Sequence, residues 1–267
     1  MRKSNFFWGS ILILVGLLLL LDNLNIIQSF WKVFWPVFLI VLGLWTVLGA
    51  TGRRQVAETE QLAIQLGDAK RARVRIRYGA GRLFMNAGAQ SGELASGSFS
   101  GGVEHQVRRE GELLDVDMRM PADRFSRFAM PWTWGWRDAL SWSMALNREI
   151  PLMLDFETGA SDTRLDLSEL KVSELKLKTG ASSTRLTLPA HAGQTRVEIK
   201  AGAASIEVRL PIGVAARIRI VGSLAGIKVD TSRFPCSGDL YQSADYNTAA
   251  NKVDIDVEIG AGSIDIR

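Results

Sequence analysis

Cysteine and histidine are almost absent from this chain of 267 residues, which has one cysteine, Cys236, and two histidines, His105 and His191. A single cysteine cannot form an intramolecular disulfide or a multi-cysteine metal site. Neither histidine has a nucleophile or a second metal ligand at a recognisable spacing, so both are interpreted as surface residues. The sequence therefore predicts a protein that is not an enzyme, with no catalytic residue, no cofactor and no metal site.

An excess of charge of one sign is also lacking. The chain has 32 Lys and Arg residues against 28 Asp and Glu residues, which gives a formal net charge of +4. This near balance does not indicate binding to nucleic acid, and no nucleic-acid partner is expected. The charges are unevenly distributed, because residues 1–50 contain only Arg2, Lys3, Asp22 and Lys32. The N-terminal segment is thus predicted to lie in a different environment from the rest of the chain.

Two apolar runs fill this N-terminal segment, one from Phe6 to Leu21 and one from Val33 to Ala50. As helices, with a rise of 1.5 Å per residue, these runs span about 24–27 Å, and apolar flanks lengthen them towards the ~30 Å hydrocarbon core. A cleaved signal peptide is the alternative for the first run, but no small-residue cleavage pattern follows Leu21. We predict a transmembrane helical hairpin over residues 1–50, with the lipid bilayer as its partner.

The charges that flank the two runs predict the orientation of the hairpin. Arg2 and Lys3 precede the first run, and Arg53 and Arg54 follow the second, whereas the connection carries one Lys and one Asp. The positive-inside rule then places both chain ends in the cytoplasm. The prediction is a multi-pass protein of the cytoplasmic (inner) membrane with both termini inside.

A repeat of 20–22 residues recurs in the rest of the chain. Each copy has an alternating apolar strand, a glycine followed by a small residue, and a second short strand. This period with two strands per unit is typical of a β-solenoid-like stack of rungs. A leucine-rich repeat is the alternative, but the Asn that such repeats carry after the strand is missing. The copies are residues 73–83, 154–167, 175–188, 197–210 and 253–266, with one copy slipped by one residue at 215–229.

Alternation within the copies predicts how the rungs stack. Positions three and five before each glycine are apolar, and positions two and four are charged. In-register stacking would place Arg77 beside Glu157, Glu157 beside Lys178, and Lys176 between Asp155 and Glu198. Opposite charges directly across a strand pair contribute about 0.2–1 kcal/mol each, so this register is favoured.

The domain organisation follows from these patterns. Residues 51–70 are predicted to be a linker, and residues 71–267 form the β domain. A hairpin is predicted with strands near Val103–Arg108 and Leu113–Met118. Residues 121–149 are irregular and rich in tryptophan, and they are interpreted as an insertion between rungs.

The tryptophan-rich insertion is the candidate contact surface. It contains Trp132, Trp134, Trp136 and Trp142, with Arg137 among them. Tryptophan and arginine are enriched at the hot spots of protein interfaces, and the same mixture suits an anionic membrane surface. We therefore predict that these residues contact a partner or the membrane. The alternative is a cap that closes an open end of the apolar stack.

Two sets of segments resemble known bacterial proteins. Gly9–Gly16 (GSILILVG), Trp35-Pro36-Val37 and Leu42–Trp45 (LGLW) resemble the membrane region of LiaF-like proteins. Segments from Ile150-Pro151-Leu152 to Leu186-Thr187-Leu188-Pro189 look like the toast-rack β domain of these proteins, and Gly260–Ile264 (GAGSI) resembles the closing rung of that domain and of related adhesin-like β-solenoids. The expected fold class is membrane-anchored all-β, with a two-helix transmembrane hairpin before the β-solenoid-like stack.

This resemblance implies a function without chemistry. LiaF itself, as the resemblance implies, is a membrane inhibitor of a two-component system that senses cell-wall damage. The implied function is a non-enzymatic regulator or scaffold in the bacterial envelope-stress response, which binds a membrane protein such as a sensor kinase. The alternative is an extracytoplasmic adhesin or envelope structural protein held by the same hairpin. Association of two copies through their helices is left open.

Overall fold

The computed structural model describes residues 59–121 and 140–267, together with six residues of the N-terminal segment: Trp35, Pro36, Phe38, Leu39, Ile40 and Gly43. The chain divides into two compact units, Met1–Arg54 and Gln55–Arg267. The predicted transmembrane hairpin falls almost entirely outside the described residues, and the six that are described there are helical. Within this described part of the chain, no helix is both long and apolar enough to span a bilayer.

The second unit is built from β-strands. Its described residues form one open sheet in the order β1-β3-β6-β2-β7-β8-β9-β13-β10-β12-β11, and β4 joins it through β5, which pairs with β2. The prediction of a mostly β protein is thus confirmed. The strands are β1 Thr59–Gln65, β2 Arg71–Ala87, β3 Glu93–Ser100, β4 Glu104–Glu110, β5 Leu113–Arg119, β6 Ser141–Leu146, β7 Leu152–Asp166, β8 Val172–Thr187, β9 Gln194–Arg209, β10 Ala215–Val229, β11 Cys236–Ser237, β12 Leu240–Gln242 and β13 Lys252–Ile266.

The long strands are the predicted repeats, and they stack in parallel and in register. Thr158 of β7 lies opposite Thr179 of β8, which lies opposite Ala201 of β9. The last two rungs exchange their order, because β13 inserts between β9 and β10. The copy at 215–229 is slipped as predicted, since Gly222 lies opposite Ile259 rather than opposite Gly260.

Each long strand changes the face that it buries at its glycine. In β7, Phe156 and Thr158 are buried before Gly159, whereas Ser161 and Leu165 are buried after it. In a regular strand every second residue faces the core, so residue 160 would be buried after residue 158. Residue 161 is buried instead, so the alternation shifts by one residue at the glycine. The strand therefore has a first arm before the glycine and a second arm after it. Both arms pack on one hydrophobic core, which contains Phe156 and Leu165.

The corner glycines are required by the neighbouring rung. A Cβ on Gly180 or Gly202 would lie 3.1 Å from the carbonyl oxygen of the glycine in the preceding rung, and a Cβ on Gly260 would lie 2.8 Å from the carbonyl oxygen of Gly202. A Cβ on Gly159 would overlap the carbonyl oxygen of Gly79 more closely still. None of these four glycines needs a positive φ. They allow a close approach of successive backbones, at which an added Cβ would force the neighbouring backbone to shift.

The two ends of the stack are closed differently. At the β2 end, β5 pairs with the first arm of β2 and β6 with its second arm. Tyr78, Phe99 and Trp142 form an aromatic cluster there, with ring centroids 5.0 and 5.1 Å apart. At the β10 end, β12 covers only Arg217–Arg219 on the first arm. Among the described residues, no strand pairs with the outer edge of the second arm of β10.

The structure corrects two boundaries of the predicted domain organisation. Strand β1 lies inside the segment 51–70 that was expected to be a linker, because Thr59–Gln65 pairs antiparallel with β3. Strand β6 lies inside the predicted irregular insertion 121–149, because Ser141–Leu146 pairs with both β2 and β3. The predicted hairpin is present as β4 and β5.

Candidate functional site

A long groove crosses the sheet beside the corner glycines. It runs across β2, β7, β8, β9, β13 and β10 and has a volume of about 1130 Å³. Its floor is made of small and apolar residues, including Gly159, Thr179, Ala201 and Ile259. At a strand spacing of about 4.8 Å, six strands give the groove a length of roughly 24 Å. We call it the glycine groove; its shape suits an extended segment better than a compact molecule.

One wall of the glycine groove carries charges that alternate across most strands. The side chain of Arg77 lies 3.5 Å from Glu157, Lys178 lies 3.4 Å from Glu157, and Lys200 lies 3.4 Å from Glu258. The predicted neighbours Arg77, Glu157 and Lys178 are therefore confirmed as cross-strand partners. The groove lining carries both signs of charge with a basic excess, since Arg77, Arg119, Lys178 and Lys200 face only Glu157 and Glu258.

Two lysines interrupt this alternation. Lys178 and Lys200 face each other directly in the register of β8 and β9. A side-chain hydrogen bond with Glu198 and the charge of Glu258 raise the pKa of Lys200, and Lys178 forms an ion pair with Glu157. This pair of lysines is the centre of the basic excess in the groove lining.

An apolar patch lies where the groove meets the last rung. Val221 is 62% exposed, Leu224 is 82% exposed and Ile227 is 43% exposed. In the register of the sheet, Val221 of β10 lies opposite Glu258 of β13, which lies opposite Lys200 of β9. Sequence reasoning missed this patch, although a signal was present: the position is charged in every regular copy and apolar only in the slipped one.

The tryptophans predicted to form a contact surface have different positions. Trp142 is a correction, because its side chain is fully buried in β6 and packs on Tyr78 and Phe99. It closes the core at the β2 end and has no surface with which to touch a partner. The other predicted contact residues, Trp132, Trp134, Trp136 and Arg137, lie outside the described residues.

Residues with reactive side chains stand apart from one another. His105 on β4 and His191 in the loop after β8 are both exposed, and Cys236 is an exposed free cysteine. In the residues that the structure describes, no group of three or more His, Cys, Asp or Glu side chains could hold a metal ion. Burial raises the pKa of Tyr78, whose hydroxyl donates a hydrogen bond to the carbonyl oxygen of Leu140, and this tyrosine is part of the closed end of the core.

These features define the class of protein: a β-rich repeat domain with a groove that crosses six of its strands. Residues 52–209 match the family described as the N-terminal domain of toast_rack, DUF2154, and the chain belongs to this family. Residues 6–47 match the LiaI-LiaF-like transmembrane region. The chain is therefore a membrane protein of the toast-rack and LiaF-like type.

One solved structure shares the fold. It is the crystal structure of a protein from Clostridium sporogenes described as a "putative cell adhesion protein", with a TM-score of 0.71 and 18% sequence identity. The similarity covers 78% of this chain and 98% of the other. At this identity the likeness shows the fold alone. A comparison with curated proteins finds no significant match.

Proposed function

We propose that this chain is a non-enzymatic membrane protein that binds another protein through its toast-rack domain and acts as a regulator or scaffold in the bacterial envelope-stress response. The observation that carries the proposal is the glycine groove, which joins an apolar floor to a wall of both charges over about 24 Å. Such a groove can bind an extended protein segment, with apolar contacts below and ion pairs at the side. The LiaI-LiaF-like transmembrane region supports a membrane partner, such as a sensor kinase.

The glycine groove allows a variant with a matched control. Lys178→Glu combined with Lys200→Glu reverses the basic point of the groove wall, whereas Lys176→Glu reverses a partly exposed lysine of β8 outside the groove. In the native bacterium, a transcriptional reporter of envelope stress should respond abnormally in the groove variant and nearly normally in the control. An equal effect of the two variants, or no effect of deleting the chain, would refute a regulatory function through this groove.

The partner itself is tested by comparison of captured proteins. The full chain is isolated from membranes in mild detergent, and the proteins that it retains are quantified for the wild type, the groove variant and the Lys176→Glu control. A partner in the groove is retained by the wild type and the control and depleted in the groove variant. The purified candidate is then titrated against each of the three, which measures the loss of affinity directly.

The fold neighbour favours a second function, an extracytoplasmic adhesin or envelope structural protein held by the same N-terminal segment. The two functions require opposite orientations. We propose that both termini lie in the cytoplasm and that the chain crosses the membrane twice, as the loop charges indicate. A phosphatase fused to the C-terminus is inactive in this orientation and active in the adhesin orientation, so the fusion separates the two functions.

A further inference from the structure

Strand β10 leaves an unprotected edge at one end of the stack. On one side it pairs with β13 from Ala215 to Val229. On its other side β12 covers Arg217–Arg219, and the backbone N–H of the following Ser243 donates a hydrogen bond to the carbonyl oxygen of Ala216. In the described part of the chain the segment Val221–Val229 thus has a free outer edge, which we call the β10 edge. Its nine residues span about 30 Å.

The composition of the β10 edge is unusual for a strand that stays in water. Exposed edges are normally protected by charged side chains, proline, bulges or a covering segment, because an unpaired strand readily adds another strand. The β10 edge has one charged residue, Lys228, and no proline. It also exposes Val221, Leu224 and Ile227. By contrast, Arg217 and Arg219 stand on the part of the strand that β12 already covers.

We propose that the β10 edge of one copy pairs antiparallel with the β10 edge of a second copy, around a twofold axis. A twofold axis perpendicular to the strands sets identical edges antiparallel and makes the contact self-complementary. The charges suit this arrangement, since each copy brings a single charged residue to the contact, Lys228, which lies opposite Asp265 in the register with its own β13. Pairing over the first arm would instead bring two pairs of arginines together.

The surface area that the contact buries indicates that pairing takes place in the membrane rather than in dilute solution. An edge about 30 Å long and about 10 Å across its side chains buries roughly 600 Å² from two copies together. Specific complexes that are stable in dilute solution bury about 1,200–2,000 Å², so this contact is weak between free molecules. A membrane segment confines the copies to one plane and raises their effective concentration. The pairing therefore belongs to the full chain in its membrane.

Disulfide cross-linking of the full chain in native membranes tests the pairing. The exposed Cys236 is first replaced by Ser, and single cysteines are then placed at Ser223, Ala225 or Ile227 on the β10 edge. Ser183→Cys is the control, since this exposed residue lies in the middle of the sheet on β8. At least one edge position should give a covalent dimer at ten or more times the yield of the control. Equal yields at the edge and control positions would overturn the proposal.

Variants that add charge to the β10 edge show whether a second copy or another occupant binds there. In the Ala225→Cys background, Val221→Lys with Leu224→Lys should abolish the dimer, whereas Ile212→Lys, at a residue 98% exposed on the loop before β10, should not. Survival of the dimer in the double variant refutes edge pairing. A cross-link to a different protein refutes the second copy in favour of a strand from that protein. Absence of the dimer, together with protection of the cysteine from a water-soluble maleimide, refutes the second copy and indicates that a foreign strand or the bilayer covers the edge.

Discussion

Alanine substitutions at the corner glycines test the stacking of the rungs quantitatively. The Cβ of Gly159→Ala would overlap the carbonyl oxygen of Gly79, the Cβ of Gly260→Ala would lie 2.8 Å from the carbonyl oxygen of Gly202, and that of Gly180→Ala would lie 3.1 Å from the carbonyl oxygen of Gly159. These atoms are backbone on both sides, so no side chain can move away. We expect destabilisation to follow the same order as the overlap.

Magnitudes follow from the cost of overpacking, which is about 1–3 kcal/mol where backbone must shift. Gly159→Ala should cost about 2–3 kcal/mol and Gly180→Ala about 1 kcal/mol, with Gly260→Ala between them. For a domain of this size, 1 kcal/mol corresponds to about 2–4 °C, so Gly159→Ala should lower the Tm by roughly 5–10 °C. This loss of stability arises because the added Cβ pushes two rungs apart, and it includes any loss of packing in the core beneath them.

Gly226→Ala is the matched control for this series. It lies on β10, outside the positive-φ region, and its Cβ would lie 3.9 Å from the carbonyl oxygen of Gly262, an ordinary contact. Because alanine restricts the unfolded chain more than glycine does, this variant should be neutral or slightly stabilised. Thermal unfolding of the purified full chain, followed by circular dichroism, measures all four variants. Equal Tm values for Gly159→Ala and Gly226→Ala would refute the stacking argument.

Three further predictions concern the core, the charge ladder and a buried hydroxyl. Phe156→Ala, at a fully buried residue in the middle of the stack, should cost about 3–5 kcal/mol in urea unfolding, and a loss below 1 kcal/mol would mean that the rung is not packed as described. Three acids, Glu174, Asp155 and Glu198, raise the pKa of Lys176, with the hydrogen bond to Glu174 as the largest cause. Lys176→Glu adds a fourth acid beside them, so the Tm should fall by a few degrees at low salt and recover at high salt. A change in Tm that does not depend on salt would exclude repulsion between these acids as its cause. Burial and the hydrogen bond to Asp254 raise the pKa of Tyr246 to about 12, so the stability that its protonated hydroxyl contributes is complete below pH ~10 and is lost as the pH rises towards 12. Tyr246→Phe should therefore lose less stability than the wild type between these two pH values, and equal losses would contradict this assignment.

The repeats could be read from the sequence because their signals are local. Alternation of apolar and charged residues up to each glycine predicts a strand with one buried face, and counting from the glycine of each copy predicts the register. Both are properties of neighbouring residues, and they placed Arg77 beside Glu157 and Glu157 beside Lys178 correctly. The resemblance to toast-rack proteins rests on the same phrases, and the family match confirms it.

The incorrect predictions concern features that depend on contacts between distant residues rather than on local signals. Strand β1 is short and lacks the glycine of the repeat, and it is a strand because β3 offers it an edge. Trp142 stands in a tryptophan-rich stretch that suggests a surface, yet it is buried because β6 inserts between β2 and β3. In both cases the deciding contact joins residues far apart in sequence, and composition carries no trace of it.

The sequence by itself determined the mostly β architecture, the in-register rungs and the membrane segment, because periodicity, glycine spacing and long apolar runs are written along the chain. Only the tertiary structure decided which surfaces are left open. The glycine groove exists because five or more rungs place their corners side by side, and the β10 edge exists because β13 takes the inner place beside β9. Strand order depends on long-range pairing between rungs of nearly equal sequence, and local pattern does not distinguish among such pairings.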